Sequence, residues 1–345
     1  MSCGETFPQS TEQLDDILSR PTESVLAAID RCGGDFVVLG AGGKMGFHVS
    51  RMLQRALNQL GRRPKVTAVS RFSTPQSRQS FERSGFDLIA ADLSDPEQLA
   101  RIAPVENVIY LAGVKFGASG NAELLQRMNV TMPTLVAEHF CGSRIVALST
   151  GCVYSFTTPA SGGSSEQGET DPPGDYARSC LDRERAFMGG SKAHGTKCAL
   201  VRLNYSIDLR YGVLVDIAQQ VRAGKSIDID TGYVNVIWQG DAVAQILQCL
   251  PHAATPPFII NVTGSETLSV RDIAQRFARR FGRDPTFVGT EAPTCWLSNN
   301  SQARKLFGDP VMTVDCMIDW IADWIDGGGP TLGKPTQFQT RDGNY

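Results

Sequence analysis

Apolar and polar residues along this chain fall into blocks, and the blocks change period. Between residues 11 and 31, Leu14, Ile17, Leu18, Val25, Leu26 and Ile29 recur at helical spacing, with Pro21 placed to split the segment in two. Asp35-Phe36-Val37-Val38-Leu39 follows, a short apolar run with glycines on both sides, which predicts a buried strand. Four more runs of this kind occur at Val66–Val69, Asn107–Ala112, Arg144–Leu148 and Ala199–Leu203. Amphipathic stretches such as Met45–Leu60 and Glu123–Phe140 lie between them. Apolar strands alternating with amphipathic helices predict a parallel sheet covered on both faces, which is a doubly wound α/β fold.

The second half is less regular. Ser155–Asp175 (SFTTPASGGSSEQGETDPPGD) is rich in Gly, Ser, Thr and Pro, and predicts a long loop of the kind that carries function. Beyond it the pattern predicts a helix near Val215–Ala223, a strand near Val234–Ile237, a helix at Ala242–Leu250, a strand at Phe258–Val262 and a helix at Val270–Phe281. Residues 327–345 are polar and rich in Gly and Pro. The expected organisation is an N-terminal helical extension (1–33), a doubly wound domain (34–203, with 234–263 packed on it), a smaller discontinuous α/β lobe (204–233 and 264–326) and a tail (327–345).

With 345 residues, 41% of them hydrophobic, the chain can bury a sizeable core. The formal charge of −3 gives no electrostatic case for nucleic acid or an anionic membrane as partner. The opening MSCGETFPQSTEQLDD lacks the basic and apolar regions of a secretory signal, and no segment approaches the ~20 continuous apolar residues of a membrane span. Nine cysteines are scattered singly without a C-x-x-C, and their odd number argues against a disulfide framework. A reducing, cytoplasmic compartment is the expectation.

Leu39 leads directly into GAGGKMG, residues 40–46, and an amphipathic helix follows. Gly40, Gly42, Gly43 and Gly46 provide a tight turn off a strand, close backbone approach to a pyrophosphate, and close packing of helix on sheet. The N–H groups at the helix start, with Lys44 and Met45 in the turn, would meet the phosphates. A phosphate-binding Walker loop is excluded, because Val38 stands where its first Gly belongs and Met45 where its Ser/Thr belongs. At the end of the second strand, a carboxylate would accept the adenosine ribose hydroxyls of NAD. Ser70 and Arg71 stand there instead and suit a 2′-phosphate, which selects NADP first and NAD second.

The ordered set of motifs resembles the extended short-chain dehydrogenase/reductases, in their NAD-dependent epimerase/dehydratase branch. The resemblance runs from about Phe36 to about Gly308. GAGGKMG matches the family's glycine loop, and Asp92-Leu93 its acidic-apolar pair at the adenine. Leu111-Ala112-Gly113 matches the fourth strand's end beneath the cofactor, and Asn129-Val130 the helix asparagine motif. Leu148–Tyr154 resembles the Ser/Thr-bearing strand end, and Val234–Ala242 a later strand-to-helix motif. The fold implied is a Rossmann domain with a substrate-binding lobe, and the loop Ser155–Asp175 is expected to border the substrate. The segment Asn204–Gly212 departs from the family's Gly-Pro turn, and Arg210 within it is open to an anionic group or to solvent. The family also implies a homodimer through helices flanking the active-site helix.

Family members place a Ser/Thr, a Tyr and a Lys at the chemistry, the last two as Y-x-x-x-K. Thr150 and Tyr176 fall at the expected spacing, but Cys180 occupies the lysine position. Bringing a tyrosine from ~10 to ~7 takes about 4 kcal/mol of preferential stabilisation of the anion, which a neutral thiol does not provide. Two substitutes are visible. Lys115 follows Leu111–Val114 at a cofactor-facing strand end, where some sugar epimerases of the family carry a lysine. Arg183 lies about 10.5 Å beyond Tyr176 along the same helix, and the run Asp182-Arg183-Glu184-Arg185 reads as an exposed charged face. Cys152 reads as a small filler residue beside Thr150.

His48, His139, His194 and His252 are too scattered for a metal site, and no G-x-S-x-G elbow supports a hydrolase. Two functions stay open. One is an enzyme transferring hydride on a sugar or nucleotide-sugar as epimerase, dehydratase or reductase. The other is an NADP(H)-binding regulator or assembly subunit with little turnover.

Overall fold

A computed structural model describes residues 6–63, 65–114 and 121–342. Lys115 lies outside the described residues. Seven strands, β1 (Phe36–Leu39), β2 (Val66–Ser70), β3 (Asp87–Ala90), β4 (Asn107–Tyr110), β5 (Arg144–Thr150), β6 (Lys197–Leu203) and β7 (Phe258–Val262), form one sheet in the order β7-β6-β5-β4-β1-β2-β3. Every pairing is parallel, with Leu39 opposite Val69 on one side and Tyr110 on the other. The α/β fold with a parallel central sheet is as the apolar runs predict. Alternate residues of β1 enter opposite cores: Phe36 and Val38 pack with the glycine-loop helix Gly46–Gln59, Val37 and Leu39 with Met132, Val136 and Phe187. The strand order reverses between β1 and β4, and a crevice opens there beyond the strand ends.

Pro21 does split the first helical segment, into Thr11–Ile17 and Glu23–Asp30, capped by the side chains of Ser10 and Thr22. Leu14 and Leu18 enter the core of the second lobe, whereas Val25, Ile29 and Cys32 enter the sheet core. Glu123–Phe140 is one amphipathic stretch in sequence but three segments in structure: helix Ala122–Gln126, a π turn Arg127–Thr131, and helix Met132–His139. Pro133 is the cause. It has no N–H for the carbonyl of Asn129, so the turn widens and the Met132 N–H bonds back to Arg127 O.

The second lobe packs helices Val213–Ala223, Val270–Phe281 and Val314–Asp326 around Trp238, Phe277 and Trp320. The strand expected near Val234–Ile237 is two short ones. Tyr233–Val234 pairs antiparallel with Leu268–Ser269, and Ile237–Trp238 pairs parallel with Ser206–Ile207. Between them Asn235 bonds Ser298 O and the side chain of Asn204.

The long loop is tied down along its length: Thr157 bridges Cys295, Ser164 bridges Ser298, and Glu166 accepts the Asn261 N–H. Nor is the tail loose. Thr336 and Phe338 are buried, and Thr336 donates from its N–H and its hydroxyl to Asp216 Oδ2, at 2.7 and 2.6 Å. Cys316 is disulfide-bonded, while the other seven described cysteines are free. Among the described residues no helix is long and apolar enough to cross a membrane.

Candidate active site

The glycine turn is built as its sequence requires. Gly40 has φ +85°, and a Cβ there would fall 2.6 Å from the backbone N of Ala112. Gly46 begins the helix so close to the turn that a Cβ would meet Ala41 O at 2.1 Å. Two cavities meet at Gly40, Gly43, Leu111 and Gly113.

The smaller, about 200 Å³, is lined by Gly42, Ser70, Arg71, Ser73, Asp92, Leu93 and Ala112 among others. Burial pushes the Asp92 carboxyl up, but hydrogen bonds from Ser94 and the charge of Arg71 outweigh it and hold the pKa below the ordinary value. Asp92 is thus an anion at neutral pH.

The larger cavity, about 310 Å³, holds Lys44, Met45, Gly46, Thr150 and Tyr176 together, although they come from three separate stretches of chain. Thr150 caps the short turn after β5, its Oγ1 accepting the Cys152 N–H at 3.2 Å. Tyr176 sits in the first turn of the long helix Gly174–His194. Burial pushes its phenol well above the ordinary tyrosine range, the adjacent Cys180 and Cys152 thiols add to this, and the Arg183 charge only partly opposes them. Cys180 is fully buried beside Val153, Tyr154 and Leu181, and burial also raises its thiol pKa. Lys44 donates from Nζ to Ser206 O at 3.2 Å and lies 3.9 Å from the Tyr211 ring centroid, so its side chain reaches toward the second lobe.

Three expectations need correction. Arg183 is not on an exposed face. It is 8% exposed, lines the larger cavity, and donates to Leu148 O and Asn129 Oδ1. A helix turns 100° per residue, so the run divides. Asp182 and Arg185 pair outside at 2.7 Å, while Arg183 and Glu184 point in and Glu184 pairs with Arg202 at 2.7 Å. Secondly, no residue of the long loop lines the larger cavity. Its wall on that side is Asn204–Ser206, Tyr211–Val213 and Thr336, because the loop is bound to residues 295–299 instead. Thirdly, Arg210 is neither solvated nor available, being paired with Asp15 and Asp208.

Asn129 lines neither cavity. Its side chain exchanges hydrogen bonds with the backbone of Val114, donates to Ser179, and accepts from Arg183. Sequence reasoning missed Thr336, because nothing in a polar tail signals where it docks. It also missed Tyr205, held at φ +39° in the cavity wall, a conformation costly for a bulky residue.

No protein-family model and no curated protein sequence matches the chain. Solved structures do match its fold. A UDP-galactose 4-epimerase is 22% identical, covering 85% of this chain and 99% of its own, with a TM-score of 0.67. A UDP-glucuronic acid 4-epimerase from Bacillus cereus, in complex with NAD, is 18% identical over 85% of this chain and 98% of its own, with a TM-score of 0.69. The Bordetella bronchiseptica enzyme WbmG, in complex with NAD and UDP, is 17% identical over 88% of this chain and 98% of its own, with a TM-score of 0.70. Identity this low establishes a shared fold.

Proposed function

We propose that this chain is a nicotinamide-dinucleotide-dependent enzyme that acts by hydride transfer on a sugar or nucleotide-sugar, as an epimerase, dehydratase or reductase. The observation that carries the reading is the convergence of Thr150, Tyr176 and the glycine turn on one cavity that continues into the pocket of Ser70, Arg71 and Asp92. These residues fit a dinucleotide. The helix that starts at Gly46 would turn the positive end of its dipole to a pyrophosphate, Gly40 and Gly42 keep the approach clear of side chains, and the Asp92 carboxylate with Leu93 would hold the adenine end. Ser70 and Arg71 favour NADP, with NAD the second choice, NAD being what the two ligand-bound neighbour structures hold. A nucleotide-sugar is the substrate class named for the epimerases that share the fold.

The cofactor would supply and withdraw hydride at the substrate carbon, and the protein's part is to manage the oxygen. Thr150 accepts the Cys152 N–H, which leaves its O–H to donate toward a substrate oxygen. Tyr176 is held protonated at neutral pH, so its phenol serves as proton donor to a carbonyl being reduced. The oxidising direction needs the same phenol to lose its proton, and Cys180 offers no charge to help. This is the observation that favours a second reading, a cofactor-binding regulator with little turnover.

The test is to denature freshly purified protein, identify any released nicotinamide cofactor, and titrate NADPH and NADH into the apo form of the wild type and of Tyr176→Phe. The enzyme reading expects binding to survive in Tyr176→Phe while turnover falls about 10²- to 10⁴-fold. An unchanged cellular function in that variant moves the assignment to the regulator, and absence of binding below millimolar removes both.

A further inference from the structure

Arg183 is a buried cation without a buried anion to match it. Nη1 donates to Leu148 O at 3.1 Å, Nη2 donates to Asn129 Oδ1 at 2.6 Å, and the buried Nε has no hydrogen-bond partner. Among the described residues no carboxylate forms an ion pair with it, since neighbouring Glu184 is taken by Arg202 and by the Ser149 hydroxyl. Two neutral carbonyl oxygens satisfy two of its five N–H donors, and an incompletely paired buried charge is costly. The position is nonetheless built with care. Asn129 is presented by the π turn and locked to both backbone groups of Val114 at 3.3 Å. Gly113 makes room, for a Cβ there would fall 2.4 Å from Nη2.

The guanidinium borders the larger cavity at its junction with the smaller one, where Gly113 lines both. A dinucleotide laid along this cleft places its adenosine beside Asp92 and its pyrophosphate at the start of the glycine-loop helix, so the next group inward is the second ribose. We infer that Arg183 is a cofactor-binding residue whose remaining N–H donors hold the hydroxyls of that inner ribose. The inference rests on the dinucleotide reading above and deepens it. One turn earlier on the same helix stands Cys180, which is uncharged and sealed in the core, so the cation on this side of the cavity is carried by Arg183.

Calorimetric titration of ADP and ADP-ribose separates the two ends of the cleft, because only ADP-ribose carries the inner ribose. Arg183→Gln is expected to leave ADP affinity unchanged and to weaken ADP-ribose about ten- to a hundredfold, the range of a charge-assisted hydrogen bond. Adding Cys180→Lys to Arg183→Gln is expected to recover part of the ADP-ribose affinity, because it returns a cation to the same helix one turn away. A purely structural role for Arg183 predicts no such recovery. Equal weakening of both ligands, or no weakening in a folded Arg183→Gln protein, overturns the inference. Should Arg183→Gln not fold, Arg183→Lys decides: it keeps the charge but not the fork, and must still weaken ADP-ribose relative to ADP. Failure of the wild type to bind ADP would instead bring down the dinucleotide reading itself, and this inference with it.

Discussion

The two cavities of the cleft are built on opposite principles. The outer one rests on backbone: glycines 40, 42 and 43, which leave space, and strand ends carrying Ser70, Arg71 and Asp92 within a few residues of a turn. The inner one rests on side chains gathered from distant parts of the chain. Thr150 ends β5, Tyr176 and Arg183 come from the long helix, Asn204–Ser206 and Tyr211–Val213 from the second lobe, and Thr336 from the tail. A site made of backbone tolerates variation in side chains but not in shape, whereas a site made of side chains depends on every buried charge behind it being paired.

That contrast is sharpest at the ion pair supporting the inner cavity. Glu184 binds Arg202 at 2.7 Å and takes the Ser149 hydroxyl, while Arg202 stacks 4.7 Å from the Tyr154 ring centroid and donates to Glu166 O in the long loop. Glu184→Ala leaves Arg202 buried and unpaired, and is expected to cost about 3–5 kcal/mol in urea unfolding. A loss below about 1 kcal/mol would mean the inner half does not lean on this pair.

A smaller effect is expected at Asp241, which lines neither cavity. Burial raises its pKa from 3.8 to about 6, against the opposing hydrogen bonds from the backbone of Met312 and Val311. Because the folded value lies above the unfolded one, stability from this group is full below pH 3.8 and falls as pH rises to about 6, by up to about 3 kcal/mol, then stays level. Asp241→Asn should abolish that slope in unfolding experiments between pH 4 and 7 while leaving dinucleotide affinity untouched. A slope that persists assigns the titration to another group.

The glycine turn, where the two cavities meet, is broken by shape. Gly46→Ala forces a methyl against Ala41 O and should destabilise the protein by about 1–3 kcal/mol, with dinucleotide binding lost more severely than stability. Normal binding at full stability would show that the turn has room the geometry denies. The mildest change is Arg71→Ala. It should weaken NADPH by about tenfold and leave NADH unmoved, if the guanidinium meets a 2′-phosphate. A parallel loss for both dinucleotides would make Arg71 a general contact and withdraw the preference for NADP.

Most of the outer half was legible because its parts are local. GAGGKMG between an apolar run and an amphipathic stretch already states turn, strand and helix, and Ser70-Arg71 and Asp92-Leu93 follow their strands directly. The inner half was legible only where spacing preserved a motif, as for Thr150 and Tyr176. Arg183 was misread because four charged residues in a row look solvated, and composition says nothing about which way a helix faces. The long loop was expected at the substrate, and the tail was read only as polar and rich in Gly and Pro. The structure sets the loop against residues 295–299 and brings the tail into the cavity wall at Thr336.

The sequence by itself determined the parallel sheet, the glycine turn and the departure at Cys180, because each follows from short-range periodicity, from the steric freedom of glycine, or from residue identity alone. Only the tertiary structure decided the partners of the buried charges. Glu184 chose Arg202 and Arg210 chose Asp15 and Asp208, while Arg183 was left to the cavity. Such choices depend on distances between segments far apart in the chain, and burial makes each of them matter by raising the cost of a charge left without a partner.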